Sequence, residues 1–240
     1  MRVLIVDDEA DIREIIRDEL SFGNHEVVEA SGGNPALEII KAGGVDAVIS
    51  DISMPDGNGI DLLKGARALS ADKPAIVLIS GFSDVTQINA FDVGVDCMLG
   101  KPFNLKEISD ALARVTAPRD RRWAASPPDR ASAPLISREI SGSIDAKGLP
   151  AFGLGRGGFR VSATETRLAP GAPVRFEIKF SGGPVSELAG TGWIRWSRHD
   201  VEPAFGIEIE SLSASCLTAV YELIRQPSIG TPFIPKGVSV

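Results

Sequence analysis

The chain of 240 residues carries 25 Lys and Arg against 32 Asp and Glu, for a net charge of −7, and is too long for one domain of ordinary size, so a second unit of roughly a hundred residues is expected. Two cysteines, Cys97 and Cys216, make no disulfide framework and read as small buried apolar groups. No signal peptide or long apolar run is present, which excludes a membrane span by helix and sets the expectation of a cytoplasmic protein.

In chain order, RVLIV, EVV, DAVIS, AIVLIS and CML are short apolar runs of the kind that form strands buried on both faces. Helical repeats separate them: Ile12, Ile15, Ile16 and Leu20, then Leu37 and Ile40, Leu62 and Leu69, and Leu105, Ile108 and Leu112. Gly23 and Gly43 or Gly44 stand where helix C-caps would fall. Five alternations of strand and helix predict an α/β unit over residues 1–117, a five-stranded doubly wound parallel sheet.

Polar side chains close four of the runs: Asp7 and Asp8, Asp51, Ser80 and Lys101. Open parallel sheets bind ligands just outside the carboxyl ends of their strands, so these groups should converge. Clustered carboxylates repel one another, and a hard cation such as Mg2+ relieves the repulsion while leaving positions free for phosphate oxygens. Lys101 would meet the remaining negative charge.

With these residues in place, positions 1 to about 117 resemble the flavodoxin-like receiver domain of two-component response regulators. The likeness rests on DDE after the first strand, D-I-S-M-P-x-x-x-G from Asp51 to Gly59, Ser80-Gly81, and Lys101-Pro102-Phe103, in family order and spacing. By that resemblance Asp51 is the phosphoacceptor. Asp8, Asp51 and the Ser53 carbonyl bind Mg2+ directly, and Asp7 acts through water. Ser80 and Lys101 contact the phosphoryl group, Lys101-Pro102 is a cis peptide, and the phosphodonor partner is a sensor histidine kinase. The resemblance implies no enzyme beyond the domain's own phosphorylation and dephosphorylation. Met98 stands where many receivers carry Tyr or Phe, three residues before the lysine.

Residues 118–133, RDRRWAASPPDRASAP in large part, read as a linker by their Pro, Ala, Ser and Arg content. Residues 1–117 hold 20 acidic and 10 basic side chains, net −10, and the remainder 12 and 15, net +3. Opposite signs permit docking of the halves or an anionic partner. Beyond the linker GGFRVSA, PVRFEIKF, GTGWIRWSR and AFGIEIES, separated by Gly, Pro and Ser, predict a small antiparallel β-barrel over 134–227. A helix from about Ala214 to Arg225 would close it with Leu217, Val220, Tyr221 and Ile224, and 228–240 is expected to be a tail. Trp193 and Trp196 should face opposite ways, one in the core and one on the surface. His25 and His199 have no second ligand nearby and read as ordinary residues.

Gly153 to Gly158 spell G-L-G-R-G-G, which satisfies GxGxxG formally, but FRVSA after it is strand-like, so a tight glycine turn is expected instead of a dinucleotide site. Together with GGFRV, GWIRW and FGIEIESLS this region resembles a PilZ domain, a small barrel that in many bacterial proteins binds cyclic di-GMP. That family's ligand motifs are R-x-x-x-R before the barrel and D/N-x-S-x-x-G. Aligned on Gly158, Gly153 and Gly155 replace the amide or carboxylate and the hydroxyl, and no two arginines among Arg119, Arg121, Arg122, Arg130 and Arg138 have the family spacing. The expectation is therefore a response regulator whose PilZ-like output acts by contact with an unidentified protein, without cyclic di-GMP. The alternative is a cyclic di-GMP effector using an unorthodox set, Arg121, Arg122, Arg156 and Gly158. DNA-binding output is not expected, because no helix-turn-helix pattern is present; a homodimer is allowed.

Overall fold

The computed structural model describes residues 1–81, 87–118, 122–123, 129–145, 151–163, 167–198, 202–225 and 233–235. Two units emerge, Met1–Ala117 and Pro118–Val240.

The first unit alternates β1 (Arg2–Val6), α1 (Ala10–Phe22), β2 (Glu26–Ala30), α2 (Gly33–Ala42), β3 (Ala47–Asp51), α3 (Gly59–Leu69), β4 (Ala75–Ser80), α4 (Gln87–Val93), β5 (Cys97–Gly100) and α5 (Leu105–Thr116). All pairings are parallel, in the order β2-β1-β3-β4-β5. Strands β3 and β4 are buried throughout, as expected for the middle of a sheet covered on both faces. The edge strand β2 differs: EVV is only exposed to half-buried, because one side of that strand has no neighbour. Arg67 locks the far end of the sheet. It donates to the carbonyls of Gly94 and Pro74 at 2.8 and 2.9 Å and to Asp96 Oδ2 at 2.7 Å, and Asp96 also accepts from the Ile76 amide. Here the desolvated charges are matched by further hydrogen bonds.

The second unit forms one six-stranded sheet from β6 (Leu135–Ser143), β7 (Phe152–Leu154), β8 (Gly158–Ser162), β9 (Pro173–Gly182), β10 (Glu187–Arg198) and β11 (Ala204–Leu212), followed by α6 (Ala214–Ile224). The order is β6-β9-β10-β11-β8-β7. An all-antiparallel barrel was expected; β6 instead runs parallel to β9. Period-two patterning reports which face is buried and says nothing of strand direction, which explains the miss. The sheet curls toward closure: Arg138 on β6 donates to the Ser162 carbonyl at the end of β8, 3.2 Å away, although β9, β10 and β11 lie between those strands in the sheet. Inside, Phe152 packs edge-on to Phe180 and Phe159 edge-on to Phe176, both pairs with centroids 4.9 Å apart, the offset that ring quadrupoles favour. Helix α6 buries Cys216, Val220, Leu223 and Ile224 most deeply, with Leu217 and Tyr221 only partly covered.

Two of the expected boundaries need correction. The linker 118–133 is not simply an exposed connection, since Trp123 lies in the core of the second unit. Its ring stacks on Tyr221 at 5.7 Å and 3° between planes, its amide donates to the Tyr221 hydroxyl, and that hydroxyl donates to the Trp123 carbonyl at 2.8 Å. Arg130 pairs with Glu210 at 2.9 Å. The tail 228–240 likewise contains core: Phe233 and Ile234 are 1% and 0% exposed. Flanking Pro, Ser and Gly masked single aromatic anchors within otherwise polar segments. Trp123→Ala is expected to destabilise the second unit by about 3–5 kcal/mol, the usual cost of truncating a buried aromatic, measured by urea unfolding followed through near-UV circular dichroism.

Candidate functional site: the strand ends of the first unit

Three adjacent strands deliver the central groups. Asp51 ends β3, Ser80 ends β4, and Lys101 follows β5, with β4 between the other two. Buried apolar runs hold β3 and β4 in register, so the side chains at their ends have little freedom, whereas β5 is buried only at Cys97. Lys101 Nζ lies 2.6 Å from Asp51 Oδ1, and the other carboxylate oxygen, Oδ2, accepts from the Ser53 amide at 2.7 Å. Ser80 is buried beside them, its hydroxyl donating to the Gly81 carbonyl. The Lys101–Pro102 bond is cis.

Glycine is required behind Asp51. A Cβ on Gly59 would run into the Asp51 carbonyl oxygen and lie 3.0 Å from the Ile52 Cα, so only glycine lets α3 start this close to the end of β3. Asn58 caps that helix by accepting from the Asp61 amide at 2.9 Å. The D-I-S-M-P-x-x-x-G spacing thus has a packing reason: the loop leaves β3, returns, and must pass directly behind Asp51.

At the end of β1, Asp7 is buried and Asp8 exposed. Asp7 Oδ1 accepts from the Glu9 amide at 2.9 Å, whereas Oδ2 is buried with no hydrogen-bond partner. Burial raises the Asp7 pKa above the usual carboxylate range; the Glu9 amide opposes this, and the negative charges of Asp51 and Asp8 add to it. For Lys101, burial alone would lower the pKa, but the hydrogen bond and charge of Asp51, reinforced by Asp7 and Glu9, raise it overall. Arg13, which sequence reading passed over, donates to the Asp7 carbonyl at 2.7 Å and pairs with Glu29 at 3.2 Å, holding the acidic loop against β2. Its position one helical turn after Glu9 was the available signal.

Among the described residues no group of three or more Asp, Glu, His or Cys side chains is gathered tightly enough to hold a metal alone. Mg2+ does not need one, since it usually keeps several waters and takes one or two carboxylates. The orphaned Asp7 oxygen, beside Asp51 and Asp8, is the kind of acceptor that a hydrated hard cation satisfies.

Residues 3–113 match the family model described as response regulator receiver domain. This part of the chain is a receiver domain. Relatives include the response regulator MprA of Mycolicibacterium vanbaalenii, 37% identical over 123 residues that cover 50% of this chain and 53% of that protein. MprA of Mycobacterium leprae is 37% identical over 117 residues, 49% of this chain and 50% of that protein. The chain therefore spans about half the length of the curated relatives it matches. Among solved structures, the response regulator TrrA of Thermotoga maritima in complex with Mg(2+)-BeF is 31% identical, with a TM-score of 0.44 over 48% of this chain and 97% of that one.

The second set of expected site residues lies outside the receiver. Arg121 falls outside the described residues. Arg122 and Arg156, 34 positions apart in sequence, meet on one ring: their guanidinium carbons lie 4.9 and 5.3 Å from the Phe233 centroid. Arg156, between β7 and β8, is buried, at 5% exposed. Gly158 begins β8 and faces the Ile207 carbonyl, which any Cβ would strike, so close strand packing accounts for it. The G-L-G-R-G-G run is a tight link between β7 and β8, closed by the Gly155 amide on the Gly158 carbonyl at 2.7 Å. Arg160 is buried as well, donating to the Phe152 carbonyl, and desolvation lowers its pKa against the raising effect of Glu202.

Because folding raises the Asp7 pKa, the protonated carboxyl is the form that the receiver favours. That contribution is complete below the ordinary value of 3.8 and is lost as pH rises through the folded value. Asp7→Asn is therefore expected to raise the receiver's Tm at pH 7 in the absence of metal, with the gain shrinking to nothing as pH falls below the ordinary carboxylate value, as calorimetry across pH would show.

Proposed function

We propose that the chain is a response regulator phosphorylated on Asp51 by a sensor histidine kinase, with Mg2+ as cofactor and the second unit as output. The observation that carries this reading is the single carboxylate, Asp51, held between the Lys101 ammonium and the Ser53 amide. A carboxylate is ionised at neutral pH and needs no general base, so attack on phosphorus reduces to alignment and charge neutralisation. Asp51 supplies the attacking oxygen. Lys101 is within reach of the charge that develops on the transferred group, and the Ser80 hydroxyl lies at the neighbouring strand end. Asp8, Asp51 and the Ser53 carbonyl would hold Mg2+ directly and Asp7 through water; the ion supplies positive charge and a template for phosphoryl oxygens.

Phosphorylation adds about −1.5 to −2 charges at this point. Lys101 then exchanges a carboxylate for a phosphoryl partner, and the hydroxyl of Ser80 gains an acceptor. The change has to reach the output without the usual aromatic side chain, since Met98, half-buried on β5, occupies that position.

For the second unit we favour a PilZ-like output that works by protein contact. Its support is the glycine pair, Gly153 and Gly155, which offers only backbone groups where a nucleotide site would use side-chain acceptors. Of the two tryptophans considered for docking, Trp196 is buried and drops out. Trp193 is half-buried, with the Arg130 guanidinium 4.5 Å over its ring; the two rings do not face opposite ways as expected, because a bulge between Ile194 and Trp196 pairs them with Glu208 and Gly206, two positions apart on one face of β11. A second reading, a cyclic di-GMP effector built on unorthodox arginines, draws on the meeting of Arg122 and Arg156 at Phe233.

With Mg2+ and a small phosphodonor such as acetyl phosphate, the chain is expected to gain one acid-stable, base-labile acyl phosphate by intact mass, and Asp51→Asn to gain none. Lys101→Ala should keep Mg2+ binding while weakening the conformational response to phosphorylation. Stoichiometric labelling of Asp51→Asn would overturn the assignment. Each missing charge-assisted contact costs about 1.5–3 kcal/mol, so titration calorimetry is expected to show no saturable cyclic di-GMP binding in the low micromolar range, phosphorylated or not.

A further inference from the structure

Three segments far apart in sequence converge on one phenyl ring. Arg122 comes from the stretch that follows the receiver, Arg156 from the link between β7 and β8, and Phe233 from the chain beyond α6. Phe233 lies directly on Gly157: a Cβ there would run into the ring, and the Gly157 amide donates to the Phe233 carbonyl at 2.8 Å. Pro235 sits in the same way over Gly153, 3.5 Å from where a Cβ would stand. Gly157 is held in turn by its carbonyl, which accepts from the Ile209 amide at 3.0 Å. The neighbouring Trp123 is fixed at both backbone groups by Tyr221, so Arg122 does not reach the ring from a loose segment.

A phenyl ring needs only apolar neighbours to be buried, yet this one is framed by two guanidinium groups and the backbone of a glycine-rich turn. Significant cation–π pairs occur roughly once in 70–80 residues, and two on one ring make a distinctive seat. Guanidinium planes stacked on a flat ring, with amides and positive charge at its edge, are the means by which proteins grip a nucleobase that carries phosphate. Phe233 supplies the flat ring of such a seat.

We propose that Phe233 and Pro235 form an intramolecular plug in a seat framed by Arg122, Arg156, Gly153 and Gly157, and that the plug keeps out a planar aromatic ligand bearing an anionic group. This rests on the reading that the second unit acts without cyclic di-GMP, and it gives that reading a second cause: besides the lost polar side chains, the place is taken. An intramolecular ring competes at the high effective concentration that a tether confers, so an external ligand must displace it before binding.

Removing the plug tests the idea in the full chain, with cyclic di-GMP as the probe and calorimetry as the readout. Phe233→Ala is expected to bind at least tenfold more tightly than the limit set by the wild-type chain, and Arg156→Ala added to it should abolish the gain. Phe233→Leu, which keeps apolar bulk and the Gly157 contact but offers no ring to the arginines, should gain affinity in the same direction and guards against a cavity that unfolds the domain. If the variants keep the wild-type near-UV spectrum and gain nothing, or if neither folds, Phe233 is plain core and the plug is disproved. Saturable binding by the wild-type chain would instead overturn the reading on which the proposal rests.

Discussion

The ion pair between Lys101 and Asp51 spans β4, joining the strand ends on either side of it, and most of the receiver's architecture serves to bring those two groups together. Strand β3 carries Asp51 out of a fully buried core, Lys101 follows the partly exposed β5, and Gly59 allows the next helix to pass close behind the carboxylate. In partly buried surroundings an ammonium at this distance is worth more than in water.

The second unit handles cations in another way. Arg138, Arg156, Arg160 and Arg130 contribute to the barrel-like sheet through carbonyls, aromatic faces and carboxylates of the same unit. Long guanidinium side chains cover apolar surface along their stems while their heads find partners. Residues whose type suggests an anion-binding surface thus act, in this sheet, largely as braces. Sequence composition could not make that distinction, since arginine content is the same in either use.

How far the sequence could be read follows from the range of the interactions involved. The strand-end cluster was legible because each element carries its own signal and the parallel α/β topology determines where strand ends gather. Strands β8 to β11 and α6 were legible for the same local reason. Strand β6 was missed, since LISREISGS exposes Leu135 and alternates weakly. Its parallel partner and the burial of Trp123 and Phe233 depend on residues far away in sequence, such as Tyr221 for Trp123 and Arg122 for Phe233. Leu69 shows the opposite error. It keeps helical spacing with Leu62, yet it is 54% exposed because α3 ends there and Ser70 turns the chain away.

The parallel pairing of β6 with β9 has a consequence for synthesis on the ribosome. Leu135 is in register with Arg175, so the strand made first in this unit waits for 175 − 135 = 40 further residues before its neighbour exists. A hairpin zips as it emerges; a strand whose partner lies past two others must be held open through the intervening time. Until then its backbone donors and acceptors are an unguarded edge, the feature most prone to wrong association. The receiver, built from elements that neighbour one another in sequence, is complete by that stage. Vectorial folding therefore concentrates the vulnerable interval of this chain in the few seconds between the appearance of β6 and that of β9, at elongation rates of about 5–20 residues per second.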